Sequence, residues 1–176
     1  MATLTGAALS GSNALSATFT LKSNELGGQF TDNQYINGMG FSGKNQSPQL
    51  YWENAPENTS SFAVTVYDLD APTGSGFWHW VVFNIPATAQ ELKAGAGDPS
   101  LHLMPEDAVQ SNTDLGTPGY VGAAPPDGPA HRYVITVYAL SKKLELDKNV
   151  TPAFVGFNIQ PITLAKASLL VYGQKH

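Results

Sequence analysis

Apolar and polar positions alternate with a period of two over much of the chain. Residues 62–67, 78–85 and 133–140 are rich in β-branched and aromatic side chains and are apolar on both faces. Such runs predict strands near the middle of a sheet, buried on each side. Shorter runs at 18–21 and 49–52 end in polar turn residues and predict two further strands. Residues 54–61, with Pro56 and Asn58, read as the turn into the first long run. Helical spacing is sparse. It is best developed at 162–170, where Pro161 suits a first helical position, and an apolar strand is expected at 169–172. Short strands separated by Pro/Gly turns predict a mainly β fold, a two-sheet antiparallel β-sandwich with a few short helices, one near the C-terminus.

The stretch 97–130 breaks this rhythm, with Pro105, Pro118, Pro125, Pro126 and Pro129 set among Gly116, Gly119, Gly122 and Gly128. A connection that long inside a compact domain calls for a function or for disorder. The Pro-Pro pair and Tyr120 favour a folded loop that walls a site. No repeat or linker divides the chain. Residues 1–20 read as an N-terminal extension without an assigned role, and residues 21–176 as one domain.

Charge and composition narrow the partners. A net charge of -5 disfavours nucleic acid and anionic membranes as bulk partners, while leaving room for one small anion site. The absence of cysteine removes disulfides, thiolate nucleophiles and cysteine-based zinc sites. No apolar run reaches the ~20 residues of a membrane span. The first residues lack the basic and apolar regions of a signal peptide. The expectation is a cytoplasmic protein, or a periplasmic or secreted one if a leader has been removed.

Candidate chemistry gathers at strand ends. Asp68 and Asp70 close the run 62–67, and in extended backbone they share a face. Buried together at ~5 Å, two carboxylates repel by about 3 kcal/mol at an effective dielectric of ~20, enough to raise one pKa. Pro72 stiffens the segment, and the Ala71–Pro72 bond is a candidate for the cis form. His79 lies between Trp78 and Trp80, and strand parity sends both indoles to one face and the imidazole to the other. His131 opens the next long strand. Solvated turn aspartates and a satisfied core histidine are the plain alternatives. Residues 38–43 match G-x-G-x-x-G, but no strand–helix unit follows, so a tight turn is expected instead of a dinucleotide site. G-x-S-x-G and a Walker loop are absent.

Taken in order, Asn37-Gly38-Met39-Gly40 with Ser47-Pro48-Gln49-Leu50-Tyr51-Trp52, Tyr67-Asp68-Leu69-Asp70-Ala71-Pro72, Trp78-His79-Trp80, and Gly119-Tyr120 through His131-Arg132-Tyr133 resemble the phosphatidylethanolamine-binding protein family. The likeness is greatest to its bacterial, Raf kinase inhibitor-like branch and covers about residues 21–172. It implies a β-sandwich-like fold with a small pocket at one end. Asp68, Asp70, Pro72, His79, Pro126, His131 and Tyr133 would line that pocket, and Tyr120 and Gly122 would belong to its loop. The implied ligands are phosphate, phosphoryl head groups and similar small anions. The family usually carries Pro between the two acids, where this chain has Leu69.

The expected function is therefore a binding module for a small anionic or phosphorylated ligand, without cofactor or metal. Aspartates repel phosphate, so binding would need a protonated His79 or His131, a proton shared with the ligand, or backbone N–H groups around Gly122. The alternative is an enzyme using the Asp/His set for acid–base chemistry of hydrolase or isomerase type. A kinase or protease partner and a homodimer follow from the family resemblance alone.

Overall fold

A computed structural model describes residues 17–176. Of the expected N-terminal extension, residues 1–16 lie outside the described residues. Phe19 stacks on Phe62 at 6.3 Å, and Thr20 opens the first strand. The elements run β1 (Thr20–Lys22), β2 (Asn37–Gly38), β3 (Phe41–Ser42), β4 (Leu50–Glu53), β5 (Ser61–Asp68), β6 (Phe77–Pro86), β7 (Glu91–Leu92), β8 (Val109–Gln110), β9 (His131–Leu140), α1 (Pro152–Ile159) and β10 (Thr163–Gly173).

Strands β10-β9-β5-β6-β8 form a five-stranded antiparallel sheet, β1-β4-β7 a three-stranded one, and β2-β3 a hairpin. The two larger sheets face each other across Leu21, Leu50, Trp52 and Leu92 on one side and Phe62, Val64, Trp80, Val82 and Ile135 on the other. The opposite face of the large sheet carries Ala63, Val81, Phe83 and Leu140 beneath Val155 and Ile159 of α1. Both faces of β5, β6 and β9 are thus buried. This is why those runs are apolar at nearly every position, and burying a Phe or Val in them contributes about 1.5–3 kcal/mol.

The expected helix at 162–170 is a strand. The helix lies earlier, capped by the Thr151 hydroxyl, which accepts from the Phe154 N–H, and started by Pro152. Pro161 sits in a single 3-10 turn, and Thr163 onward pairs with β9 down to Gly173↔His131. Ala, Lys and Leu in that segment favour helix locally, but their alternation also fits a strand, and the available edge of β9 decides it.

Strand β6 departs from simple pleating at its start. Tyr67 pairs with Trp78 and Val66 with Trp80, so His79 is the extra residue of a β-bulge. The parity expectation fails there. Trp78 packs on the helix side of the sheet, Trp80 enters the core between the sheets, and His79 turns toward Tyr133 at 5.5 Å between ring centres.

Candidate functional site

Strand β5 delivers Asp68 to the end of the large sheet opposite His131, the first residue of β9, and the bulge brings His79 beside them. All three are buried. One oxygen of Asp68 accepts His131 Nδ1–H at 2.8 Å, and the other accepts the Asp70 N–H at 2.9 Å. His79 Nδ1–H donates to the Val121 carbonyl at 2.9 Å, while the Val121 N–H donates back to the His79 carbonyl. Both imidazoles therefore commit Nδ1 to the protein, and among the described residues neither Nε2 has a protein partner. Burial, above all, pulls the His79 pKa below the ordinary histidine value, against the opposing pull of its hydrogen bond to Val121.

Asp68 and Asp70 do not act as a pair. The chain leaves the strand after Asp68, and Asp70 turns to Arg132. It accepts Nη2–H at 2.8 Å, Nε–H at 3.0 Å and the backbone N–H at 2.8 Å. These bonds hold its carboxyl well below the usual carboxylate range, the reverse of the elevation that mutual repulsion predicts. Leu69, where the family usually has Pro, donates its N–H to the Arg132 carbonyl at 3.0 Å, a bond that Pro lacks the hydrogen to make. Backbone pairing thus takes over the stiffening that a ring supplies. All peptide bonds among the described residues are trans, Ala71–Pro72 included.

The loop after β8 closes the other side. Tyr120 is buried beneath it and does not face the pocket. Its hydroxyl donates to the Gln34 carbonyl at 2.8 Å, and burial raises its pKa far above the ordinary tyrosine value. The Gly122 N–H donates to Asn45 Oδ1 at 2.6 Å, and the N–H groups of Val121 and Ala123 donate to His79 and Gln34. These three donors are spent, which removes the anion nest expected at Gly122. A Cβ on Gly122 would lie 2.4 Å from the Ile36 backbone nitrogen, so only glycine lets these segments touch. Sequence reasoning missed Asn45. Its left-handed φ of 50° is a turn signal, but nothing in the sequence connects it with a residue 77 positions away.

These walls enclose a cavity of about 340 Å³ lined by Asp68, Pro72, His79, Gly122, Pro126 and His131 among the expected residues. Apolar neighbours, including Ile36, Met39, Phe77, Leu115 and Val121, complete it, and among the described residues no Lys or Arg lines it. Asp70, Tyr120 and Tyr133 lie outside the lining. Tyr133 is fully buried against His79 and His131, with no hydrogen bond to its hydroxyl among the described residues. Burial, and then the nearby Asp68 carboxylate, raises its pKa far above the ordinary value. A larger depression of about 610 Å³ is lined by Asp98, His102, Gln110 and Lys148 among apolar residues, with Asp98 capping Ser100 and Gln110 engaged by Trp80. Among the described residues no group of three or more His, Cys, Asp or Glu is arranged to hold a metal ion. No helix among them is long and apolar enough to cross a membrane.

The chain is similar to known proteins over most of its length. Residues 27–173 match the family model described as phosphatidylethanolamine-binding protein. The UPF0098 protein YbhB of Escherichia coli K12 is 48% identical over 152 residues, covering 85% of this chain and 96% of its own. YbcL of the same organism is 45% identical over 161 residues, covering 89% of this chain and 88% of its own. The crystal structure of E. coli YbcL, described as a new member of the mammalian PEBP family, superposes with a TM-score of 0.87 at 43% identity. It covers 91% of this chain and 100% of that one. The chain belongs to the phosphatidylethanolamine-binding protein family.

Proposed function

We propose that the chain is a binding module whose pocket takes a small phosphate or phosphate monoester together with one proton. One observation carries this. Both imidazoles spend Nδ1–H on the protein, so each neutral ring offers the pocket only an Nε2 lone pair, beside a buried carboxylate. An anion entering such a site needs a proton, placed either on an Nε2 or on one of its own oxygens. The lost hydration is then replaced by an N–H···O or O–H···N bond of the charge-assisted kind.

Calorimetric titration with inorganic phosphate and O-phosphoethanolamine at pH 5.5 and pH 8, in buffers of different ionisation enthalpy, tests this. Tighter binding at pH 5.5 than at pH 8 is expected, with uptake of about one proton at pH 8, where the free ligand is mainly a dianion. Affinity independent of pH with no proton exchange would sink the reading.

A second reading, acid–base catalysis, draws on the Asp68–His131 pair, which has the geometry of a carboxylate-oriented imidazole base. The pocket hydroxyl, Thr73, donates to the Gly76 carbonyl, so water or the substrate itself would supply the reacting group. Turnover of a phosphate monoester that Asp68→Asn abolishes would favour this reading over binding alone. A kinase or protease partner, and a homodimer, rest on family likeness. No described residue selects either, and they stay outside the proposal.

A further inference from the structure

The pocket is layered. Asp68, His79 and His131 at its base are 3%, 6% and 8% exposed, whereas Met39 and Leu115 at its mouth are 76% and 60% exposed. The two come from unrelated segments, the turn of the β2–β3 hairpin and the loop after β8.

Met39 is costly where it stands. The hairpin turns through Met39 and Gly40, with φ of 52° and 84°. Two-residue turns with both φ positive favour Asn-Gly or Gly-Gly, because left-handed backbone crowds a Cβ. A long apolar side chain held open to water in that conformation serves neither the turn nor the core. Local rules broken in this way point to a functional demand.

We infer that Met39 and Leu115 are specificity-determining residues. They form an apolar collar that selects phosphate monoesters with an apolar alcohol side over inorganic phosphate and hydrophilic esters. This deepens the anion-binding proposal and rests on it. The phosphoryl group reaches the His/Asp base, and the ester substituent lies between the two collar side chains. Covering ~60 Å² of apolar surface there is worth roughly tenfold in affinity.

The experiment titrates the full chain at pH 5.5 with inorganic phosphate, O-phosphoethanolamine and phenyl phosphate, and repeats this for Met39→Asn and Leu115→Asn. Wild type should bind phenyl phosphate about tenfold tighter than the other two. Each variant should lose most of that preference and keep inorganic phosphate within about twofold. Met39→Asn should melt no lower than wild type, since Asn suits the turn, and Leu115→Asn tests the collar without touching the hairpin. Inorganic phosphate bound with no preference for phenyl phosphate, or a preference that both variants retain, overturns the collar alone. Failure of wild type to bind any of the three overturns the anion reading, and the collar with it.

Discussion

Replacing Asp68 by Asn exchanges a buried carboxylate for an amide of the same shape. The amide oxygen must stay on the Asp70 N–H, because turning the amide around would set two fixed donors against each other. Its NH2 group then faces His131 Nδ1, which in wild type is the donor at 2.8 Å. The conflict resolves if a neutral His131 moves its proton to Nε2 and accepts at Nδ1. A charge-assisted bond worth about 1.5–3 kcal/mol becomes a neutral one worth about 1 kcal/mol, so the variant should lose roughly 0.5–2 kcal/mol of stability. The pocket gains an Nε2–H donor and loses a negative charge. At ~5 Å and an effective dielectric of ~20 that charge acts with at most about 3 kcal/mol on a bound monoanion. Half of this is enough for tenfold tighter phosphate binding at pH 8, and the dependence on pH should flatten. Long-range ¹⁵N–¹H NMR of the imidazole reads the tautomer, urea unfolding reads the stability, and calorimetry reads the affinity. A proton that stays on Nδ1, a loss above ~3 kcal/mol, or weaker phosphate binding at pH 8 would refute this pairing scheme.

Gly122→Ala should destabilise by about 1–3 kcal/mol and weaken the site. Its Cβ meets the Ile36 backbone at 2.4 Å and disturbs the bond to Asn45, and an unfolding free energy within ~0.5 kcal/mol of wild type would contradict the contact. His79, with its pKa lowered by burial, is protonated near pH 6.5 in the unfolded chain but only at lower pH when folded. Stability is therefore full above about pH 6.5 and falls below it, by at most about 1.4 kcal/mol per pH unit from this group. Urea unfolding between pH 5 and 8 should show that slope in wild type and lose it in His79→Gln. Tyr133→Phe removes a buried hydroxyl that has no partner among the described residues and should leave stability within ~0.5 kcal/mol or raise it. A loss above ~1.5 kcal/mol would reveal a hydrogen bond at that oxygen.

The core of the fold was legible because β5, β6 and β9 are short runs, apolar on both faces and rich in β-branched and aromatic residues, which together fit a sheet covered on each side. Asp68, His79 and His131 were legible as polar groups at strand ends, and the structure brings them to one cavity. What escaped depends on contacts far apart in sequence. Arg132 claims Asp70 from 62 positions away, and no spacing rule links them. The bulge at His79 inverts the indole assignment, because one extra residue shifts parity without changing composition. The 162–170 segment suits helix and strand alike, and its neighbour β9 settles the matter. The sequence around Met39 predicts a tight turn, but the side to which that turn leans is set by how the hairpin docks.

The bulge also acts on β6 much as a dislocation acts on a lattice. Trp78 addresses the helix side, His79 and Trp80 address the other side in succession, and strict alternation then resumes through Val81, Val82 and Phe83. A polar scan along the strand would show a tolerance pattern that skips a beat at residue 79 and another near Asn84. A second register shift lies between Val82 and Ile85, where Asn84 has a φ of 55°, and with the first it means that β6 cannot slide along its neighbours without carrying the imidazole away from Asp68 and His131. The defect that frees one side chain from the pleat therefore doubles as the mark by which the sheet keeps its register.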